Sequence, residues 1–216
     1  LRREQFQQVV LENRRVGLAP RAHAGMMRSR ALVEKLIAQK QVVYGVTTGF
    51  GALSTERIDP EQARQLQLNL VRSHACGVGE PLGEAETRGI LLLRANALAK
   101  GLSGVRPQVV ELLCQFLNRG VHPIVPSRGS VGASGDLAPL AHVALGLIGE
   151  GEVVHRGRKM SAAKALSAIG RKPLELEAKE GIALVNGTQA MLSLGLLALR
   201  QAEILIDTAD VAGALS

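Results

Sequence analysis

The stretch "GSVGASGDLAPLAH", residues 129–142, decides how the rest of the chain is read. Gly129, Gly132 and Gly135 fall within seven residues, and Ala133-Ser134-Gly135 precedes Asp136 and an apolar run. A glycine loop ahead of a helix is a place where phosphates bind. Here no Lys-Ser/Thr pair follows and no strand precedes, so the P-loop and dinucleotide patterns fail. A nucleophile elbow needs Gly-x-Ser-x-Gly, and Asp136 occupies the last glycine's position. A tight turn with Asp136 as the N-cap of the next helix satisfies the local rules. It leaves unexplained why the loop is so stripped of side chains.

A fourth reading explains the stripping. Closing a five-membered ring within a backbone requires an amide nitrogen to reach the carbonyl carbon two residues earlier. In this loop the Gly135 nitrogen would attack the Ala133 carbonyl, an approach that only small residues allow. Loss of water from the ring and then from the Ser134 hydroxyl leaves an exocyclic methylene. The product is an electrophile made without an imported cofactor.

Outward from the loop, helix follows helix. Residues 2–16 and 21–39 read as helices separated by Gly17 and Pro20. "VVYGVTTGFGALST", 42–55, reads as a loop because glycines interrupt any alternation. "DPEQARQLQLNLVRSHACG" opens with an Asp cap and a first-turn proline and is expected to run to Gly77. "GEAETRGILLLRANALAKG" and "RPQVVELLCQFLNRG" are two more helices ended by glycine, and another is expected from about 136 to 148. "GEGEVVHRGRKM" reads as a β-hairpin turning at Arg156-Gly157, "SAAKALSAIG" as a short helix, and Gln189 opens a long apolar run. The class is mainly α with one small hairpin, divided into residues 1–188 and 189–216. "QAEILIDTADVAGALS" stays helix-like to the last residue without a cap, so the second unit reads as the truncated start of a helical bundle.

The totals narrow the function classes. The chain has 216 residues, 46% hydrophobic, with a net charge of +7. Residues 1–40 carry nine Lys/Arg and three Glu, a net +6, so the basic character is an N-terminal property. Nucleic-acid binding must be weighed on that ground. Against it, aromatics are 2% of residues and tryptophan is absent, so stacking platforms are nearly lacking. A solvated basic helical surface accounts for the charge. No zinc-ligand spacing is present, and no apolar run reaches the roughly 20 residues needed to span a bilayer. Cys76 and Cys114 suggest no disulfide framework and read as reduced, buried small hydrophobes in a cytosol.

With these pieces in place, "GSVGASGDLAPLAH" resembles the self-cyclising signature of the aromatic amino acid ammonia-lyases. "YGVTTGFG" (44–51), "NLVRSHACGVG" (69–79) and "LVNGTQA" (184–190) resemble further active-site segments of that family, in the right order. The resemblance covers essentially the whole chain. It implies a helical fold of the ammonia-lyase type and a 4-methylidene-imidazol-5-one group formed from Ala133, Ser134 and Gly135, with no external cofactor and no metal.

The resemblance also assigns roles. By its surroundings alone Tyr44 is a loop tyrosine with its hydroxyl in water, and its ordinary pKa of about 10 is high for a base. The family's catalytic base lies at this position, and helix N-termini could supply the field that lowers it. His74 by itself is a histidine near a helix C-terminus; the resemblance makes Ser73-His74 the pair that holds the substrate side chain, and the pair is of the histidine-specific type. Asn186, otherwise a turn residue, is implied to bond the prosthetic ring or the substrate carboxylate, and Asp136 to support ring closure. L-histidine is the implied substrate, in a cytoplasmic homotetramer that involves neither membrane nor nucleic acid. Family members are about twice this long, with an arginine for the carboxylate and an acidic residue in the part beyond this match, so the chain alone is expected to be inactive. Phenylalanine or tyrosine lyases and aminomutases of the same family, and a non-enzymatic basic helical binding module, are the competing readings.

Overall fold

The computed structural model describes residues 1–43, 45, 46, 48, 60–133 and 135–215. Among these the elements run α1 (Arg3–Leu11), α2 (Pro20–Ala38), α3 (Pro60–His74), β1 (Val78–Pro81), α4 (Glu84–Leu98), α5 (Pro107–Arg119), β2 (Val121–Pro123), β3 (Pro126–Arg128), α6 (Leu137–Leu147), β4 (Glu152–His155), β5 (Arg158–Ser161), α7 (Ala162–Ala168), α8 (Glu180–Val185) and α9 (Gln189–Leu215). The mainly helical class is borne out.

Helix α4 is the axis of the domain. Its residues Thr87 through Ala95 and Leu98 are buried, the pattern of a helix covered on nearly every side. It packs against α1, α5 and α9. Helix α5 shows the one-sided version. Val109, Val110, Leu113, Phe116 and Leu117 recur at three- and four-residue spacing and are buried. Pro107 opens it, and Gly120 closes it at φ +64°, a left-handed position that favours glycine. Helix α6 packs against α3, α8 and β2.

Several boundaries differ from the expectation. Helix α1 stops at Leu11 rather than 16, where Asn13 turns to φ +58° and the Arg14 N–H returns to the Gln8 carbonyl at 3.0 Å. Helix α3 stops at His74. Gly77 is therefore not its cap; a Cβ there would lie 3.1 Å from His142 Nε2 and 3.2 Å from Pro126 Cβ, so the glycine serves close packing. The expected Asp59 cap and most of 42–55 lie outside the described residues. The hairpin forms as expected, with Arg156 at φ +51° and Gly157 at φ +71°, the left-handed pair that a two-residue turn requires. Beyond it, β2 adds a third strand in the order β2-β4-β5, and β1 pairs antiparallel with β3. Strands this short leave no readable alternation in the sequence.

The basic N-terminal region is not wholly a solvated surface. Arg30 is buried and donates to the Ala178 carbonyl at 2.9 Å, and Arg3 meets Glu203 of α9 at 2.6 Å. Of the cysteines, Cys114 is buried and its thiol is pushed up to about 11 by that burial, whereas Cys76 is exposed, contrary to expectation. Glu180–Leu215 is long and apolar enough, by length and composition, to cross a membrane, with a hydropathy of 1.6. A scan for uninterrupted apolar residues misses this because polar residues punctuate the run. The first turns of α9 nevertheless sit in the protein core: Ala190 and Ser193 are buried, and Ser193 Oγ donates to the Glu86 carbonyl of α4 at 2.8 Å.

Candidate active site

The glycine loop is placed by the β1–β3 ladder. Val78 pairs with Arg128, so the residues just before β1 and just after β3 run side by side. A Cβ on Gly129 would lie 3.3 Å from the Gly77 Cα and 3.1 Å from the Ala138 Cβ. Three small positions thus let the end of α3, the start of the loop and the first turn of α6 touch. The contact joins the residues that follow His74 to the start of the glycine loop.

Asp136 joins the loop to the far end of the sequence. It is fully buried. Its N–H donates to the Gly187 carbonyl at 2.6 Å. One carboxylate oxygen accepts from Ser130 Oγ at 2.6 Å and the other from the Met191 N–H at 2.9 Å. Met191 lies in the first turn of α9. Asp136 therefore caps α9 across the fold, while it makes no side-chain bond to its own helix α6. This corrects the expected local cap. A buried carboxylate needs hydrogen-bond donors, and the first turn of a long helix offers an unpaired N–H with favourable polarity.

Asn186 is exposed at the C-terminal end of α8. A Cβ on Gly135 would lie 2.8 Å from Asn186 Oδ1, so only glycine fits at 135 with Asn186 in this position. Ala133 is exposed and Gly132 takes φ +68°. No described residue takes the Gly135 N–H. The expected ring-forming loop is thus small-sided and held by Asp136 at its C-terminal edge, which fits the ring that the resemblance implies. Tyr44 and Ser134 lie outside the described residues. Helices α6 and α9 both begin at this point, and each N-terminus carries roughly half a positive charge.

Ser73 is exposed and His74 half-buried at the last turn of α3. His74 Nδ1 lies 2.8 Å from the Leu70 carbonyl, and Ser73 Oγ donates to the same carbonyl at 3.1 Å. Donation from Nδ1 to that carbonyl leaves Nε2 as the acceptor of the neutral ring. Three residues beyond the pair, Gly77 meets Gly129 of the loop; among the described residues no hydrogen bond links Ser73 or His74 to Asn186 or Asp136.

Several residues of this site carry no local sequence signal. Ser130 and the Met191 N–H hold the Asp136 carboxylate. His142 Nε2 accepts the Gly77 N–H at 3.2 Å, and burial lowers the His142 pKa. Arg94 lies beneath Gly187. These partners are found only through the tertiary structure.

A helical fold with a side-chain-poor loop clamped by a buried aspartate beside an asparagine turn defines a class. The profile of the aromatic amino acid lyase family matches residues 1–216, and the chain belongs to that family. Its similarity is to histidine ammonia-lyases in particular: 58% identity to that of Koribacter versatilis (strain Ellin345) over 213 residues, covering 99% of this chain and 41% of the relative. To the histidine ammonia-lyase of Geobacillus thermodenitrificans (strain NG80-2) the identity is 54%, covering 96% and 41%. The chain thus spans about 41% of the length of these curated relatives. The solved histidine ammonia-lyase of Trypanosoma cruzi superposes with a TM-score of 0.91 at 39% identity, covering 98% of this chain and 42% of that one. A tyrosine aminomutase from Streptomyces globisporus superposes at 0.87 with 44% identity, covering 94% and 38%.

Proposed function

We propose that the chain is the N-terminal part of an enzyme that eliminates ammonia from L-histidine to give urocanate. The observation that carries this is the Asp136 joint, which sets Gly135 against Asn186 and ties Asp136 to the Gly187 carbonyl and the start of α9. The identity to histidine ammonia-lyases over nearly the whole chain supports the substrate. In this reading Ala133, Ser134 and Gly135 form the methylidene-imidazolone. That group supplies an electrophilic carbon that makes the substrate's amino group a better leaving group.

The chain's own residues do the rest. Asp136 fixes the Gly135 end of the loop through its N–H and both carboxylate oxygens. Asn186, whose Oδ1 faces Gly135, would hydrogen-bond the ring or the substrate carboxylate. The free His74 Nε2 accepts a hydrogen bond from the substrate imidazole, with Ser73 beside it. Tyr44 takes the proton from the β-carbon as the C–N bond breaks, so the products are urocanate, ammonia and a proton that returns to solvent. A tyrosine base needs electropositive surroundings, which helix N-termini in general can supply. Residues 189–216 begin a central helical bundle whose remaining part supplies the carboxylate-binding arginine, an acidic group and the contacts of a homotetramer. The enzyme is cytoplasmic and uses no metal, nucleic acid or membrane.

Intact mass and product analysis test this. The full-length enzyme is expected to be lighter than its sequence by two waters per chain, to show a near-UV band that borohydride removes, and to release urocanate from histidine. An unmodified mass in an enzyme without that activity overturns the reading. The likeness to a tyrosine aminomutase defines the second reading: conversion of tyrosine to its β-isomer with no turnover of histidine.

A further inference from the structure

Helix α4 carries two buried arginines, Arg88 and Arg94, and they face different things. Arg88 donates to the carbonyls of Val9, Val10 and Leu117, tying α1 and α5 to α4 away from the loop. Arg94 points toward the α8–α9 turn. It donates to the Ala183 carbonyl of α8 and, at 2.6 Å, to Gln189 Oε1 at the start of α9. A Cβ on Gly187 would lie 2.1 Å from Arg94 Nη1, so the guanidinium lies directly under the glycine that follows Asn186.

This placement is costly. Arg94 is 5% exposed, and its Nε has no hydrogen-bond partner. Burial alone lowers its pKa to about 10, with no carboxylate acting on it. A buried cation without a counter-ion is an unfavourable way to join two helices, and an apolar side chain of similar length would fill the space. What the guanidinium adds is a planar fork that reaches two acceptors on either side of one turn.

We infer that Arg94 is a positioning residue for ring formation: its fork holds the Asn186-Gly187 turn at the height where the Gly187 carbonyl meets the Asp136 N–H and Asn186 packs on Gly135. The chain of contacts is short. Arg94 fixes Ala183 and Gln189; the turn between them presents the Gly187 carbonyl; that carbonyl and the Met191 N–H fix Asp136; and Asp136 is the next residue after Gly135. With Arg94 and Gln189 bonded to each other in this arrangement, a side chain at 187 would displace both. The inference rests on the proposed lyase reading for what the loop does, but the linkage itself is independent of that reading.

The test compares Arg94→Lys and Arg94→Met with Arg88→Lys. In the 216-residue chain, amide hydrogen exchange at Asp136 and Met191 reports the linkage whether or not a ring forms. Both Arg94 variants are expected to exchange these amides at least tenfold faster than the native chain, more so for Met, with helical content retained; Arg88→Lys leaves them at the native rate. In the full-length enzyme, the time course of the two-water mass loss is expected to slow in the order native, Arg94→Lys, Arg94→Met. Native exchange at Asp136 and Met191 in both Arg94 variants overturns the inference, as does equal acceleration by Arg88→Lys. A native full-length enzyme that never loses two waters instead overturns the lyase reading and leaves the exchange result to judge the linkage.

Discussion

Helices α6 and α9 are both apolar, and they end in opposite situations. In α6, Leu140, Val143, Ala144 and Leu147 are at most 1% exposed. In α9, only Ala190 and Ser193 are buried, while Leu199, Ile204, Leu205, Ile206, Val211 and Leu215 are 45–83% exposed. Length explains the difference. At 1.5 Å per residue, the 15 residues of α4 span about 22 Å and the 27 of α9 about 40 Å. Helix α9 therefore overhangs its main support by several turns. Apolar composition makes a segment a helix that needs a partner; it does not say where the partner is. Asp136 joins the two cases, since it precedes α6 and caps α9.

The largest expected effect separates chemistry from packing at that joint. Ser134→Ala in the full-length enzyme removes the methylene source while deleting one oxygen from a loop. Histidine turnover is expected to fall to background with circular dichroism unchanged. Near-normal turnover would mean that the electrophile is not made here.

The comparison itself can be broken by paired truncations in the 216-residue chain. Leu140→Ala in α6 is expected to destabilise by about 2–5 kcal/mol, because a filled site becomes a cavity. Leu205→Ala in α9 is expected to change stability by no more than about 0.5 kcal/mol. Urea unfolding measures both, and equal losses would show that α9 is covered in solution. A related measurement sharpens the point. The exposed face should bind a hydrophobic dye or drive self-association, and Leu199→Glu with Leu205→Glu should reduce both.

Asp136→Ala comes next. It leaves Ser130 and the Met191 N–H without their acceptor, a loss of about 1–3 kcal/mol for groups left unpaired. Faster amide exchange at Met191, with little change in the second half of α9, is the expected signature.

The smallest effect is acid sensitivity on the α6 side. Burial lowers the pKa of His122 and His142, with Arg88 and His155 adding to the effect at His122 and Glu84 opposing it. A lowered histidine pKa means that the folded state prefers the neutral ring. Its stabilising contribution is complete above the ordinary value of about 6.5 and is lost as pH falls below it. The urea midpoint should therefore drop modestly between pH 7.5 and 5.5, and His142→Gln should reduce the drop.

Much of this was legible in the residues. Pro107 and Gly120 bound α5 because one lacks an N–H and the other accepts φ +64°. Arg156-Gly157 turns the hairpin for the same local reason. Gly132, Ala133 and Gly135 make a loop with little side-chain bulk, and the ordered motifs placed the family. These are readable because backbone preference and side-chain size act within a few residues. The two short strands β1 and β3 were not legible, since three or four residues hold no period.

Other features were decided only by the fold. Asp136 looks like the cap of α6 because it stands next to it, yet its carboxylate caps α9, accepting from an N–H 55 residues away. Gly77 looks like a helix stop and is instead a contact surface for His142 and Gly129. Arg94 sits in an apolar run with nothing to mark which turn it supports. Hydrogen-bond satisfaction and close packing are settled between segments that meet in space, so a linear string specifies the groups that need partners, and only the tertiary structure says which partners they find.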